Sequence, residues 1–570
     1  MSKRWILQQV NDTDSIRRLM NELNVDDKIA AMLVLRGIRN FDEAKKFFRP
    51  SLDDLHDPFL MKGMHAAVER LSKAIQHNEN ILVYGDYDVD GTTAVSLMYS
   101  FLTSFYPNVD YYIPDRYTEG YGISFKGIDF AFDNNFSLII SLDCGIRSVD
   151  KIAYANKKQI DFIICDHHLP TDEIPNAIAV LDPKQKDCNY PYKELTGCGV
   201  GYKLIQAYCL KNNIPIETTY QYLDLLAISC AADIVPITGE NRVLTFFGLN
   251  YINQNPRPGI KALLEQSNLK KQLSVSDLVF IIGPRINSAG RIQTGMNAVE
   301  LLTSPDIEKA RETALLINKN NLERKELDDQ ITNEALEIIE QNSVLKQRKT
   351  TVLYSDKWHK GVIGIVASRL IEKYYRPTIL LTESNGKATG SARSVKDFDV
   401  HAAIESCADL LEQFGGHKYA AGLTMPIQNV EKFIERFEEV VSNSIHDDML
   451  IPAIDIDACI SFSDITPKFY RINKQFAPFG PGNLPPMFVS KNVIARSGSV
   501  RIVGNSHLKA TVFHKKAPSI SFDMIAFNLG EWFDYINSGK EFDICYHVEE
   551  NEWNGNITLQ LNVKDIKTAN

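Results

Sequence analysis

The chain has 570 residues, of which 44% are hydrophobic, and a formal net charge of −10. This length predicts three or four domains of about 150 residues each, and no apolar run approaches the roughly 18 residues that span a bilayer. The start, MSKRWILQQVND, has no apolar signal region, and the nine cysteines form no CxxC pair. We therefore expect a cytoplasmic chain with no disulfide framework, zinc site or membrane partner.

Residues 1–50 look helical and irregular, whereas residues 51–250 alternate strand-like and helix-like stretches. This alternation predicts a parallel sheet with helices on both faces. The strand Ile81–Tyr84 is followed by three carboxylates at alternate positions, which are Asp86, Asp88 and Asp90. So many like charges in one loop indicate a Mg²⁺ or Mn²⁺ site, although a solvated acidic turn is the alternative for this motif alone.

A helix is expected to follow the acidic loop. Gly91 lets the chain turn there, and Thr92 and Thr93 can cap a helix that starts near Ala94. A second helix is expected over Val149–Lys158.

Two further strands end in side chains that bind metals. Leu138–Leu142 runs directly into Asp143, and Phe162–Cys165 runs directly into Asp166, His167 and His168. The carboxyl ends of parallel strands share one edge of the sheet, where ligands bind in such folds. A lone Asp after a strand is usually a turn residue, but three coincidences at one edge favour a metal site.

Residues 251–347 are expected to connect two domains through a long helix. Residues 311–341 contain neither Pro nor Gly, and four apolar side chains recur on one helical face, namely Leu327, Ile331, Ala335 and Ile338. A helix this long and charged is typical of a bridge between domains. A coiled-coil dimer is the alternative, but the heptad pattern is too short to favour it.

Residues 348–450 predict a second, smaller α/β unit with strands at Thr351–Tyr354 and Thr378–Leu381. It contains two Gly-rich segments, GSARS at 390–394 and FGGHKYAAG at 414–422. Consecutive small residues let backbone N–H groups approach a phosphate, although a simple turn is the alternative for each segment. The substrate-binding candidates here are Ser391, Arg393, Gly415, Gly416 and His417.

Residues 451–570 change to short strands, which predicts a small Greek-key barrel such as an OB-fold. The five expected strands are Asp455–Ser461, Phe488–Ser497, Lys509–Phe513, Phe542–Val548 and Asn556–Val563. From Ile465 to Phe522 there are nine Lys or Arg residues and no Asp or Glu. This stretch favours single-stranded nucleic acid over a solvated basic face, with Lys515 and Lys516 as binding candidates, and most of its Phe side chains are expected in the core.

The strand-end motifs resemble those of the DHH phosphoesterases, which combine DxDxDG, an Asp after the next strand of the sheet, and Asp-His-His. The segment AADIVP at 231–236 resembles that family's fourth motif, with Asp233 as its metal carboxylate and Asp224 as a weaker competitor. The order of a DHH domain, a DHHA1 domain and a barrel resembles the RecJ exonucleases. Three longer segments resemble the same family, at 113–124, 281–291 and 357–370.

The resemblance implies a 5′→3′ exonuclease that degrades single-stranded DNA to 5′-mononucleotides in DNA repair and recombination. Our hypothesis is two-metal hydrolysis by two Mn²⁺ or Mg²⁺ ions about 3.5–4 Å apart, with Mn²⁺ favoured by imidazole ligands. The expected ligands are Asp88, Asp90, Asp143, His167 and Asp233, followed by Asp86. His168 completes the catalytic set by binding either metal or the scissile phosphate. Asp143 is expected to bridge, because its strand should lie between the others.

Four residues of the RecJ-like segments join the substrate-binding candidates, namely Arg116, Arg285, Asn287 and Arg291. An arginine can hold a phosphate in bidentate fashion, so one or two of these are expected to hold the 5′ end, with a salt bridge as the alternative. We expect a monomer that binds single-stranded DNA, with a helicase or a single-strand-binding protein as its protein partner.

Two alternative functions remain open from the sequence. The first is a small-substrate enzyme of the same superfamily, such as a nanoRNase, a pAp phosphatase or a cyclic-dinucleotide phosphodiesterase, which would not need the barrel. The second is a non-catalytic single-strand-binding relative, against which the intact ligand positions argue.

Overall fold

The computed structural model describes residues 3–569 except 268, 270, 293 and 554. It contains two α/β units joined by helices and ends in a β-barrel, which confirms the predicted fold class. Within the described residues, no helix combines the length and the apolar character needed to cross a bilayer.

The N-terminal segment is folded onto the barrel at the other end of the chain. Its elements are β1 (Arg4–Leu7), α1 (Thr13–Leu23), α2 (Asp27–Leu35) and α3 (Phe41–Phe48). Strand β1 pairs in parallel with Ala453–Ile456. Leu19 and Leu33 share one hydrophobic core with Phe469 and Phe488. These helices therefore bury their apolar faces against the barrel, a long-range contact that the sequence did not reveal.

The first α/β unit is a five-stranded parallel sheet with helices on both faces. Its elements are α4 (Met64–Gln76), β2 (Asn80–Gly85), α5 (Val89–Thr103), β3 (Val109–Tyr112), α6 (Phe125–Asp133), β4 (Phe136–Leu142), α7 (Val149–Lys157), β5 (Asp161–Cys165), β6 (Ala179–Leu181), α8 (Gly197–Lys211), α9 (Leu223–Ala232) and α10 (Gly239–Gln254). The strand order is β3-β2-β4-β5-β6. Ile81 and Val83 enter one core, whereas Leu82 and Tyr84 enter another, so both faces of the sheet are covered as predicted.

The helix after the acidic loop begins earlier than predicted. Helix α5 starts at Val89, not near Ala94, and the carboxylate of Asp88 caps it by accepting from the Gly91 N–H at 3.0 Å. Gly91 lies inside the helix rather than in a turn, and a Cβ there would stand 2.4 Å from the Asp86 carbonyl oxygen. Asp88 is thus an N-cap as well as a candidate ligand, a dual role that spacing alone does not show.

The connecting region is helical and ends in one long helix. Its elements are α11 (Pro258–Ser267), α12 (Val275–Asp277), a π-helical turn (Leu278–Ile282), α13 (Gly283–Ile292), α14 (Met296–Thr303), α15 (Ile307–Gln341) and α16 (Ser343–Gln347). Helix α15 contacts α13 at one end and the second α/β unit at the other, so it bridges the units as predicted. In its C-terminal half Ile331, Ala335 and Ile339 are buried, whereas Ile338 is 40% exposed. The prediction was wrong for Ile338, because the buried face of the helix passes through Ile339 instead.

The second α/β unit contains β7 (Thr351–Tyr354), α17 (Ile363–Lys373), β8 (Thr378–Ser384), β9 (Lys387–Arg393), α18 (Val400–Glu405), β10 (Gln413–His417), β11 (Ala420–Met425) and α19 (Val430–Ser444). The sheet order is β10-β11-β9-β8-β7. The two Gly-rich segments form the central strand β9 and the hairpin β10–β11. Strand β10 is therefore the edge of this sheet.

The C-terminal barrel contains β12 (Ala453–Ile456), β13 (Ala458–Cys459), α20 (Pro467–Lys474), β14 (Phe488–Ala495), β15 (Arg501–Val503), β16 (His507–His514), β17 (Ala517–Ala526), α21 (Phe533–Asn537), β18 (Phe542–Trp553) and β19 (Asn556–Thr568). Pairing of β14 with β16 closes five strands of its seven-stranded sheet into a ring, with β13 and β15 at the two ends of the sheet, whereas β12 pairs with β1. Strands β15 and β17 were not predicted, because β15 is short and β17 opens with exposed Pro518 and Ser519. Phe469, Phe476 and Phe488 are buried core residues.

Candidate metal centre and phosphate pocket

His167 lies at the centre of the carboxylates gathered at the carboxyl edge of the first sheet. Its Nε2 atom is 3.1 Å from Asp143 Oδ1, 3.6 Å from Asp233 Oδ2 and 3.8 Å from Asp90 Oδ2. Strand β4, which leads to Asp143, lies between β2 and β5 as predicted. Two groups of ligand atoms are close enough to hold an ion, and they share His167. One is Asp143, His167 and His168, and the other is Asp90, His167 and Asp233.

The carboxylate of Asp90 is fixed by the start of helix α8. It accepts hydrogen bonds from the Gly197 N–H at 2.6 Å, the Cys198 N–H at 2.9 Å and the Ser229 hydroxyl at 2.6 Å. Gly197 is required at this position, because a Cβ there would lie 2.5 Å from Asp143 Cβ. The helix start thus approaches the acidic cluster closely and favours its negative charge.

Asp86 and Asp88, the other two carboxylates of the acidic loop, lie outside these two groups of ligand atoms. Asp86 is fully buried and accepts a hydrogen bond from the Gly122 N–H at 3.1 Å. Burial and then the neighbouring Asp88 raise the pKa of Asp86 well above its usual value. Burial also raises the pKa of Asp88. A bound cation would therefore favour the charged form of both carboxylates.

His168 is oriented by its neighbour Asp166. The Nδ1 atom of His168 lies 2.8 Å from Asp166 Oδ1, and the His168 Nε2 atom lies 3.3 Å from the Tyr121 hydroxyl. Burial opposes a charge on His168, but the hydrogen bond to Asp166 outweighs it and raises the pKa of His168. The side chain of His168 is therefore held with Nε2 toward the Tyr121 hydroxyl.

The acidic cluster is electrostatically unstable by itself. Burial, followed by repulsion from Asp90 and Asp88, raises the pKa of Asp143 well above its usual value, and the same causes act on Asp233. Burial lowers the pKa of His167 to about 4. Within the described residues, Asp143 Oδ1 and His167 Nε2 accept or donate no hydrogen bond. Buried carboxylates, a neutral imidazole and unpartnered ligand atoms are the donor set that a divalent cation requires.

Asp233, rather than Asp224, belongs to this cluster. Asp224 is fully buried and accepts a hydrogen bond from Arg257 at 2.6 Å, so it forms an ion pair elsewhere in the domain. Asp233 follows the last turn of α9, and the next residue, Ile234, has a left-handed backbone with φ of 59°.

A second cluster, which consists of cations, lies where the two α/β units meet. Burial and then the nearby Arg116, Arg324 and Arg393 lower the pKa of Arg291 to about 10. Arg291 Nη1 donates to the Gly361 carbonyl oxygen at 2.7 Å, and Arg393 Nη1 donates to the Ser391 hydroxyl at 3.1 Å. Of these arginines, only Arg324 has an ion pair among the described residues, with Asp328 at 3.7 Å. We call Arg116, Arg291, Ser391 and Arg393 the phosphate pocket.

The start of helix α17 lies against the phosphate pocket. A Cβ on Gly364 would lie 2.8 Å from the Ser391 hydroxyl and 3.0 Å from Arg393 Nη2. No side chain of the described residues caps this helix start. The Val362, Ile363 and Ile365 N–H groups already bond to backbone oxygens, so it is the positive helix end beside two arginines that suits a phosphate.

One layer of tyrosines separates the phosphate pocket from the metal centre. The Arg116 guanidinium lies 5.0 Å from the centroid of the Tyr87 ring, and Tyr87 packs edge-on against Tyr121 with ring centroids 6.0 Å apart. Tyr121 in turn contacts His168. The two clusters are thus linked by neighbouring side chains.

Other predicted substrate residues lie at varying distance from this cleft. Burial and then the nearby charges of Arg147 and His168 lower the pKa of His417, which lies on β10 with Gly415 and Gly416. Arg285 instead donates to Asn318 and to the Ile281 carbonyl oxygen, outside the phosphate pocket. Asn287 lies half-buried on α13. Lys515 and Lys516 are exposed in the β16–β17 turn, where Lys515 lies 3.8 Å from Glu541.

Sequence reasoning missed several supporting residues. Gly197, Ser229 and Tyr121 hold or flank the ligands, yet none was singled out, and Asp166 was named as a possible ligand rather than as the residue that orients His168. The Gly-rich start of α8, GCGVG at 197–201, was the available signal for a close backbone approach. Ser229 carries no such signal, because it meets Asp90 only through the fold.

Family models match three parts of the chain. They are the DHH family N-terminal domain at residues 80–230, the DHHA1 domain at 347–443 and the RecJ OB domain at 456–565.

Curated relatives and solved structures extend the similarity over nearly the whole chain. Single-stranded-DNA-specific exonuclease RecJ of Bacillus subtilis is 37% identical over 99% of this chain and 70% of its own length. The Escherichia coli protein of that name is 34% identical over 93% of this chain and 94% of its own. A crystal structure of Thermus thermophilus RecJ with Mn²⁺ has a TM-score of 0.85 and 26% identity, and covers all of this chain and 80% of its own. A second structure of that protein, with Mg²⁺, has a TM-score of 0.78. The chain therefore belongs to the RecJ family of DHH phosphoesterases.

Proposed function

We propose that this protein is a metal-dependent exonuclease that degrades single-stranded DNA in the 5′→3′ direction to 5′-mononucleotides. The observation that carries the proposal is the pairing of two clusters, an acidic metal centre and a cationic phosphate pocket, across one layer of tyrosines. A terminal phosphate held in the pocket would place the adjacent phosphodiester near the metal centre. Cleavage at that position would release one nucleotide at a time.

The residues that would hold two divalent cations are Asp88, Asp90, Asp143, His167 and Asp233, with Asp86 as a further candidate. When bound, such ions activate a water molecule and stabilise the charge of the leaving oxygen. His168, which Asp166 orients, would bind the metal or donate to the scissile phosphate. Arg116, Arg291 and Arg393 neutralise the terminal phosphate, and the exposed basic barrel would hold the strand beyond it.

Partners and location follow from the same proposal. We propose single-stranded DNA as the substrate partner, a helicase or single-strand-binding protein as the source of that strand, and a monomer as the working form. All nine cysteines of the described chain are free, and eight are buried, which supports a reducing compartment such as the cytoplasm.

Digestion of single strands labelled at either end tests the activity. With Mn²⁺, a 5′-label is expected to appear at once as mononucleotide, whereas a 3′-label stays on progressively shorter strands, and EDTA stops both reactions. Loss of the 3′-label first would reverse the polarity. Faster hydrolysis of a dinucleotide than of a long strand would favour the small-substrate enzymes instead, and no Mn²⁺-dependent hydrolysis would favour the binding-only relatives.

A further inference from the structure

The metal ligand Asp233 stands on a strained loop. The loop runs from Asp233 to Thr238 between helices α9 and α10. Ile234 has a left-handed backbone, with φ of 59°, and its side chain is 70% exposed. A β-branched residue rarely adopts this conformation, and such strain persists only where surrounding contacts hold the backbone in place.

The far side of this loop packs against a turn that belongs to the barrel end of the chain. The Ile237 N–H donates to the Pro481 carbonyl oxygen at 2.7 Å. Gly480 lies against the buried Ile237, where a Cβ would stand only 2.4 Å from Ile237 Cγ1. The turn at 479–483 therefore fits the Asp233 loop with no room for even one more carbon atom.

The turn itself is held rigidly from two directions. Gly480 and Asn483 exchange backbone hydrogen bonds, each of 3.0 Å. The buried Asn483 accepts from Arg36 Nε at 2.9 Å, and Arg36 Nη1 donates to Asp457 of the barrel region at 3.0 Å. On the other side, Arg242 of helix α10 donates to the Ala477 carbonyl oxygen at 2.9 Å. The turn thus joins the N-terminal helices, the barrel and the catalytic domain.

We propose that the turn at 479–483 is a brace that positions Asp233 for metal binding, so that the barrel end of the chain sets the metal affinity of the catalytic domain. Gly480 is then a positioning residue, which acts through Ile237 and the loop. This inference rests on the proposed metal-dependent function, but it is tested on metal binding itself.

The test compares Mn²⁺ binding, measured by titration calorimetry without DNA, in wild type and Gly480→Ala. The added methyl group is expected to shift the Asp233 loop and to weaken Mn²⁺ binding by about tenfold, the usual size of an effect from a residue that supports a ligand. The Mn²⁺ concentration for half-maximal hydrolysis should rise in parallel. Single-strand affinity in EDTA should not change.

The double variant Gly480→Ala with Ile237→Ala distinguishes displacement of the Asp233 loop from general damage to the fold. Removing the Ile237 side chain makes room for the new methyl group, so the double variant is expected to bind Mn²⁺ more tightly than Gly480→Ala alone. Gly539→Ala is the matched control, because Gly539 lies in another turn of the barrel end with a φ of 77° and open space around its Cβ position. It adds backbone strain there without touching the loop, and Mn²⁺ binding should stay at the wild-type value.

Two outcomes overturn the proposal. One is a folded Gly480→Ala variant with wild-type Mn²⁺ affinity, and the other is equal weakening by Gly480→Ala and Gly539→Ala. If Gly480→Ala melts below the assay temperature, Ile237→Ala alone is measured instead. It removes the side chain that packs against Gly480, so it should also weaken Mn²⁺ binding several-fold. If the wild-type protein binds Mn²⁺ but does not hydrolyse DNA, the proposed function is wrong. The effect of Gly480 on Mn²⁺ affinity can still be measured in that case.

Discussion

Asp166 and His168, two residues apart in one strand-end loop, are joined by a hydrogen bond of 2.8 Å between Asp166 Oδ1 and His168 Nδ1. Asp166 also accepts from the Ile146 N–H at 2.9 Å and from the His167 N–H at 2.7 Å. Burial disfavours its charge, but the His168 hydrogen bond and charge prevail and hold the pKa of Asp166 well below its usual range. The ionised form of Asp166 is therefore favoured, and its hydrogen bond fixes the orientation of His168.

Asp166→Asn is expected to lower kcat by about 10–100-fold, because a residue that orients a catalytic imidazole typically contributes that much. The KM for the strand should change little, since the phosphate pocket is untouched. Steady-state kinetics at saturating Mn²⁺ measures the effects on kcat and on KM separately. An unchanged kcat would show that the orientation of His168 does not limit the reaction.

Asp143→Ala should abolish hydrolysis, with a loss of at least about 100-fold, because it removes a carboxylate from the centre of the metal cluster. The variant should also be more stable than wild type without metal, since burial and like charges oppose the ionised form of Asp143. Mn²⁺ should raise the melting temperature of wild type but not of the variant. A folded variant that keeps wild-type hydrolysis would remove Asp143 from the site.

Arg393→Gln tests the phosphate pocket. A hydrogen bond from a charged donor to phosphate contributes about 1.5–3 kcal/mol, so KM for a 5′-phosphorylated strand should rise by about 10–100-fold. KM for a strand with a 5′-hydroxyl should hardly change. Arg311→Gln, in an exposed ion pair with Glu265 on the outside of α15, is the control. Equal losses on both strands would mean that Arg393 does not bind the terminal phosphate.

Lys515→Glu combined with Lys516→Glu tests whether the barrel holds the strand. If both side chains contact phosphates, the slope of log affinity against log salt should fall by about 1.4, and kcat on saturating strand should persist. The matched control is Lys45→Glu combined with Lys46→Glu, because these two lysines are also consecutive in the chain and exposed, but lie on α3. Unchanged affinity at low salt would take the β16–β17 turn out of the DNA path.

Asp182→Asn should remove a pH-dependent loss of stability. Asp182 is fully buried, and burial raises its pKa from 3.8 to about 7. A carboxyl whose folded pKa is raised destabilises the fold once it ionises, so the stability of wild type should fall as pH rises from about 4 to about 7. Asparagine keeps the acceptor for the Lys184 N–H. The variant should gain up to about 4 kcal/mol near pH 8 and much less near pH 5, as thermal melting would show.

The local pattern of the chain was enough to predict the parallel sheet and its ligand edge. Strands such as Leu138–Leu142 end directly in Asp143, and this adjacency survives folding because the carboxyl ends of parallel strands always share one edge. The start of helix α5 was misplaced because Asp88 serves both as cap and as ligand candidate. Ile338 was misassigned because spacing does not show which side of a bridging helix meets its neighbours.

The sequence by itself determined the ligand types, the order of the α/β units and barrel, and the basic stretch, because each depends on residues adjacent in the chain. Only the tertiary structure decided that Asp233 rather than Asp224 joins the cluster, that Gly197 and Ser229 hold Asp90, and that Gly480 presses on the Asp233 loop. Those contacts join residues that are far apart in the chain. Close packing of the folded chain decides which distant residues meet, and no local sequence pattern encodes that choice.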